Sequence, residues 1–186
     1  MSQKIIRILA IVLTGILTLG ILVGATYLYN KLVYTNPLEA SVAQMKAIGS
    51  FRVEQFNSRS KIKVQFNVRE KLRANFYLLL DQLEGQSKKN LNNLTLEISN
   101  PPDKELYAFL TKARLPVFEA ISTGKFTELP ARLDELSLNV PVKYELEIDN
   151  RFVFITACSG EASAHMVIDR GNTTLLIINT MGGEYL

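Results

Sequence analysis

The chain divides by hydrophobic pattern into a continuous apolar run near its start and alternating apolar and polar positions afterwards. Residues 8–29 read ILAIVLTGILTLGILVGATYLY, and these 22 residues carry no charge. As a helix they extend about 33 Å at about 1.5 Å per residue, which matches a bilayer hydrocarbon core of about 30 Å. The pattern predicts a signal-anchor transmembrane helix within residues 1–30, then a juxtamembrane connector and short helix at 31–49.

The charges beside this helix predict its orientation. Lys4 and Arg7 precede the apolar run, and only Lys31 follows it closely. Because positively charged flanks tend to stay in the cytoplasm, we expect a cytoplasmic N-terminus in the plasma membrane and residues 31–186 on the extracytoplasmic side. A signal peptide cleaved after Ala25 is the alternative interpretation, and it exports the same domain.

Gly20 and Gly24 form a GxxxG pattern inside the apolar run. Two glycines about one turn apart let a second helix approach closely, so this face predicts self-association of the protein within the membrane. The simpler explanation is that glycine is common in membrane helices.

After residue 49, period-2 alternation predicts most of the strands. Residues 50–57 and 61–67 form a predicted hairpin, and residues 94–99 form a further strand. From Val142 onwards, four alternating segments predict a four-stranded antiparallel meander: 142–148, 151–158, 162–168 and 173–180. Asp149 and Asn150 have the chemistry of a two-residue turn with positive φ.

Residues 67–84 fit both a helix and a strand. A helical stripe contains Val68, Leu72 and Phe76, whereas the even positions also alternate as in a strand. Asn67 followed by Glu70 resembles a capping box, and Gly85 stands where a helix-ending glycine belongs. We therefore predict a helix, with a long curved strand as the alternative.

Residues 100–138 are predicted to be a helical insertion between strands. Asn100 is the expected cap of a first helix that ends before Pro116. A second short helix ends near Gly124, and a third follows Thr127. The predicted fold class is thus α+β: a single transmembrane helix and one small domain, residues 50–186, built from antiparallel strands and this insertion.

Charge and composition exclude some functions. Outside residues 1–30 the chain has 19 basic and 18 acidic residues, and this balance argues against a nucleic-acid partner. One cysteine and one histidine are too few for a structural zinc site, which needs about four such ligands. The sequence contains no nucleotide-binding or metalloprotease motif, so no cofactor or metal is expected.

The single cysteine and the single histidine lie seven positions apart, as Cys158 and His165. If Gly160 and Glu161 form the turn of a hairpin, Cys158 pairs with Ser163 and Thr156 pairs with His165. The two side chains are then diagonal neighbours, about 7–8 Å apart at the backbone, whereas a nucleophile and its base need about 3 Å. We expect structural roles for both residues, with a reactive thiol as the alternative.

Seven basic residues lie within 22 positions of the N-terminal half and predict a positive patch. The patch would contact anionic headgroups or an acidic partner, or it would simply be a solvated face. Its members are Arg52, Arg59, Lys61, Lys63, Arg69, Lys71 and Arg73.

Together these patterns predict a non-enzymatic, membrane-anchored extracytoplasmic module for protein interaction or assembly. We expect this module to contact the bilayer, a protein partner and, through the transmembrane helix, a second copy of the chain. Two alternatives remain open: a membrane-tethered binder of a lipid or other apolar ligand, and a thiol enzyme that uses Cys158. The first alternative depends on a set of large apolar residues: Phe76, Tyr77, Leu78, Leu79, Phe109, Leu110, Phe118 and Ile121.

Overall fold

The computed structural model describes residues 2–30, 42, 44–56, 59–69, 71–86, 94–138, 140–171 and 175–186. It contains an N-terminal helix followed by an α+β domain, which confirms the predicted α+β class. The predicted connector and short helix at 31–49 lie mostly outside the described residues, although Val42 is buried in the domain.

Helix α1 extends over Ser2–Asn30. Its segment Val12–Tyr29 has a mean hydropathy of 1.8 and no side chain buried in the rest of the protein. By length and composition α1 is therefore able to cross a membrane, because an apolar helix of about 20 residues matches the hydrocarbon core. A secretion signal has the same properties.

The domain contains eight strands and three helices among the described residues. The strands are β1 (Ile48–Phe56), β2 (Arg59–Phe66), β3 (Leu94–Asn100), β4 (Lys143–Ile148), β5 (Phe152–Ser159), β6 (Ala162–Asp169), β7 (Leu176–Met181) and β8 (Glu184–Tyr185). The helices are α2 (Leu72–Gln86), α3 (Lys104–Thr123) and α4 (Leu129–Ser137).

The strands form two sheets. Sheet A has the order β1-β2-β3-β7-β8, with parallel β2/β3 and β3/β7 pairs and antiparallel pairs at both ends. Sheet B is an antiparallel meander of β4, β5 and β6. The predicted hairpin of β1 and β2 is confirmed, but sheet A is mixed, because α2 connects β2 to a parallel neighbour.

The predicted four-stranded meander is wrong in its last strand. β7 leaves sheet B and pairs with β3, so that Leu96 is opposite Ile177 and Ile98 is opposite Asn179. Alternation predicted the strand itself correctly, but it carries no information about which sheet the strand joins. The turn before β5 also differs, because neither Asp149 nor Asn150 has positive φ.

Helix α2 confirms the helical interpretation of 67–84, but it begins later than predicted. Lys71 has a φ of 61°, which a continuing right-handed helix does not adopt, so the helix starts at Leu72. Asn67 therefore lies before the helix, and Gly85 lies inside it. Glu147 of β4 supplies the N-terminal acceptor instead, since its Oε2 accepts the Arg73 backbone N–H at 3.1 Å.

The helical insertion is present, but it has two helices where three were predicted. α3 continues through Pro116, because its buried stripe from Ala113 to Val117 and Ala120 keeps packing against sheet B. That burial outweighs a cost of about 3 kcal/mol for a proline within a helix. Asp103 caps α3, whereas the predicted cap, Asn100, is the last residue of β3.

Sheet B separates two hydrophobic clusters. On one face Val153, Ile155 and Met166 pack against α3 and α4. On the other face Phe152 and Phe154 pack against α2 and the inner side of sheet A. Both faces of β5 and β6 are buried, which places His165 inside the protein.

Candidate functional site

The predicted register of Cys158 and His165 is confirmed, and it makes the two residues diagonal neighbours on adjacent strands. Cys158 is opposite Ser163, and Thr156 is opposite His165. The neighbour of His165 Nδ1 is the Thr156 hydroxyl, at 3.4 Å. A general base must contact its nucleophile at about 3 Å, so this arrangement gives the thiol-enzyme hypothesis no geometric support.

The surroundings of both residues also oppose acid–base chemistry at neutral pH. Burial lowers the pKa of His165 to about 4, although the backbone of Phe66 partly opposes this decrease. Burial raises the pKa of Cys158. The charge of Arg69 lowers this pKa and the charge of Glu145 raises it, and both effects are smaller than that of burial. A neutral imidazole and a protonated thiol are therefore expected at pH 7.

The predicted basic patch is divided between two parts of the domain. Arg52 is directly opposite Lys63, and Glu54 is opposite Lys61, on the outer face of sheet A. Arg73 instead forms an ion pair with Glu147 of sheet B at 3.5 Å. Arg69 and Lys71 lie between these two groups in the chain, and the side chain of Arg59 lies outside the described part.

Glu97 of β3 neutralises much of the charge on the outer face of sheet A. Its carboxylate oxygens lie 2.6 Å from Lys61 Nζ and 3.2 Å from Lys63 Nζ, and they accept a hydrogen bond from the Thr180 hydroxyl at 2.9 Å. Burial alone would raise the pKa of Glu97, but these hydrogen bonds outweigh it and lower the pKa. Only 4% of Glu97 is exposed, so the two partly exposed lysines are paired with a buried carboxylate on this face.

Two asparagines bond the edge of β6 that has no neighbouring strand in sheet B, and neither role was predicted from the sequence. Asn100 accepts the His165 backbone N–H at 2.6 Å and donates to the His165 carbonyl at 2.9 Å. Asn179 does the same for Val167, at 2.9 Å and 2.8 Å. Each carboxamide thus replaces a peptide unit of a neighbouring strand. The available signal was the presence of asparagine, which is depleted in strands, at the ends of two aliphatic segments.

A groove of about 640 Å³ opens where β6 and β7 diverge. Its walls are the last residues of β6, the edge of β7, the chain segment Tyr185–Leu186 and two side chains of α3, Arg114 and Phe118. Three large apolar side chains at this groove are substantially exposed: Phe118 (48%), Leu176 (52%) and Tyr185 (71%). The groove is thus a concave, largely apolar surface with one cation, Arg114, and one acid, Asp169, at its wall, and ligand sites often combine apolar walls with a few polar groups.

Most residues behind the apolar-ligand hypothesis belong to the cores. Phe76, Leu79, Phe109 and Leu110 are fully buried, so they form packed interior rather than a ligand surface. Phe118 is the member of this set that lines the groove.

The described residues contain no group of three or more histidine, cysteine, aspartate or glutamate side chains able to hold a metal ion. Comparisons of the chain with protein-family models, with curated proteins and with solved structures gave no match.

Proposed function

We propose that the protein is a single-pass membrane-anchored interaction module whose α+β domain works on the extracytoplasmic side without catalysing a reaction. The observation that carries this proposal is α1, whose side chains from Val12 to Tyr29 are exposed in the protein by itself. Seventeen of these eighteen positions are exposed, and Gly24 is intermediate. An apolar surface of this extent is costly in water, and a bilayer would remove that cost.

Two further observations support a binding role over an enzymatic one. The single histidine is buried, with Thr156 rather than Cys158 beside Nδ1. The groove beside β7 instead offers apolar side chains and a cation on a rigid scaffold. An anchor confines such a domain to two dimensions, which raises its effective concentration for membrane-bound partners.

Membrane fractionation of cells that express the full chain tests the anchor. The intact chain should remain in the membrane pellet after alkaline carbonate extraction, with a mass that includes residues 1–25. Replacing Ile16 and Leu19 by arginine should release it, because each central arginine costs about 2.5–3.5 kcal/mol of insertion. The matched variant with alanine at both positions should stay in the pellet.

Other outcomes would reject parts of this proposal. A chain shortened by cleavage after Ala25 would identify a secreted protein. Intact wild-type chain in the high-speed supernatant would reject the anchor altogether.

A further inference from the structure

The free strand edges of the two sheets differ in how they are protected. β1 carries Arg52 and Glu54, and β4 carries three charged residues at alternate positions. The edge of β6 is closed by the carboxamides of Asn100 and Asn179. Residues 175–178, by contrast, read LLII and contain neither a charge nor a proline. Charges and prolines usually protect an edge against added strands, and the first three residues of β7, Leu176–Ile178, have neither.

Among the described residues, the edge of β7 that faces away from β3 has no strand partner over Leu176–Ile178. β8 pairs with Thr180 and Met181, and the Leu186 N–H then donates to the Asn179 carbonyl at 2.9 Å. Because alternate residues of a strand direct their N–H and C=O groups to the same side, Ile177 is the next residue on this edge. Within the described ranges no strand pairs with it there.

The groove beside this edge has a cation, Arg114, at its wall. Arg114 lies over the Phe118 ring at 5.8 Å, and it makes no ion pair with any described residue. Asp169, the acid of the groove, accepts the Gly171 backbone N–H at 3.0 Å. An incoming carboxylate would therefore find Arg114 available.

The geometry points to a peptide-binding groove: an extended segment of a partner protein adds as a strand to β7, with apolar side chains at alternate positions and a carboxylate on Arg114. The inference rests on the proposed function and names its class of partner. Main-chain hydrogen bonds would supply affinity, and the apolar wall and Arg114 would supply specificity. The four residues 175–178 offer about 13 Å of edge at about 3.3 Å per residue.

Two other occupants fit the groove less well. An acyl chain would cover the backbone N–H and C=O groups of β7 without bonding them, which is unfavourable. A second copy of this chain would pair over only four residues, whereas a stable dimer buries about 800 Å² on each partner.

Selection of random linear decapeptides on the full chain in lipid nanodiscs tests the inference. Enriched sequences should alternate apolar residues and contain aspartate or glutamate. Ile177→Pro removes one edge donor and should weaken binding of a synthetic enriched peptide by more than tenfold in fluorescence anisotropy. Arg114→Ala should weaken it by about tenfold or more, as expected for a lost charged hydrogen bond, whereas Arg52→Ala should leave binding unchanged.

Leu176→Lys provides a second edge variant in case proline disturbs the sheet. Its side chain is already half-exposed, so folding should persist while strand addition is opposed. The inference is overturned if no peptide is enriched, if enriched peptides repeat every three to four residues, or if both edge variants bind normally. It is also overturned if a fluorescent fatty acid occupies the groove in place of peptide, or if the edge variants change the oligomeric state.

These results are separable from the test of the anchor. A protein that integrates into membranes but binds no peptide rejects only the groove inference. A protein that binds peptide but fails to integrate rejects only the anchor.

Discussion

His165 illustrates how burial determines the role of a single residue. Only 1% of it is exposed, and Nε2 has no hydrogen-bond partner in the described structure. Burial disfavours the charged imidazolium, so the imidazole of His165 binds a proton more weakly in the folded protein than in the unfolded chain, where it titrates near pH 6.5.

Stability should therefore fall as the pH decreases from about 6.5 to about 4. The folded-state pKa of His165, about 4, lies below its ordinary value of 6.5, so its contribution is complete above pH 6.5 and is lost on acidification. The difference corresponds to about 3 kcal/mol in the free energy of unfolding. Urea titrations across this range measure it, and His165→Leu should flatten the dependence. An unchanged slope in the variant would show that another group is responsible.

Asn100 should be among the most sensitive polar positions of the domain. Its carboxamide satisfies the N–H and C=O groups of His165 and also donates to the Thr180 carbonyl at 3.0 Å. Asn100→Ala leaves these buried groups unbonded, so we expect a loss of about 2–4 kcal/mol in chemical denaturation. Asn67→Ala, on an exposed asparagine, serves as the control and should cost less than about 0.5 kcal/mol. Equal effects of the two variants would contradict a stabilising role for the hydrogen bonds between Asn100 and His165.

Cys158 should react slowly with thiol reagents at pH 7. Burial raises the pKa of its thiol above the ordinary value, so the reactive thiolate is the minor form at neutral pH. The labelling rate of the full chain should rise steeply with pH up to and beyond pH 9. Rapid labelling at pH 7 that His165→Ala abolishes would restore the thiol-enzyme hypothesis.

At the scale of single elements, local periodicity predicted what depends on neighbouring residues in the chain. It identified the β1/β2 hairpin, the β5/β6 register and the helical character of α2 correctly. It failed where distant contacts decide. Pro116 stays within α3 because helix residues before and after it, Ala113 and Val117, pack against sheet B. Glu147, 74 positions away in the chain, accepts the N-terminal hydrogen bond of α2 from Arg73.

Helix α1 carries a prediction of its own, because Gly20 and Gly24 leave an open face on this helix. An added Cβ at either position meets no other atom of the chain within 4 Å. Replacing both by leucine should reduce self-association of the full chain in a membrane two-hybrid assay, since bulk prevents close helix approach. Gly15→Leu, equally open but on another side of the helix, should have little effect. Undiminished association of the double variant would show that Gly20 and Gly24 do not mediate helix pairing.

At the scale of the whole molecule, the sequence predicted the α+β class but not how the sheets divide the strands. Nothing local to residues 175–181 indicates that β7 joins β3 rather than β6. In the folded protein the side chains of Asn100 and Asn179 bond the edge of β6 that a fourth strand of sheet B would pair with. The groove follows from the same choice, because β6 and β7 diverge beyond the Asn179 contact. It was therefore not predictable from periodicity.

We propose that α1 holds the domain on the outer side of a membrane, and protease treatment of intact cells that carry an epitope tag after Leu186 examines this placement. External protease should remove the tag while the N-terminus remains protected, and both ends should stay associated with the membrane until digestion. A tag that survives on intact cells and disappears only after the membrane is opened would place the domain on the inner side and refute the proposal.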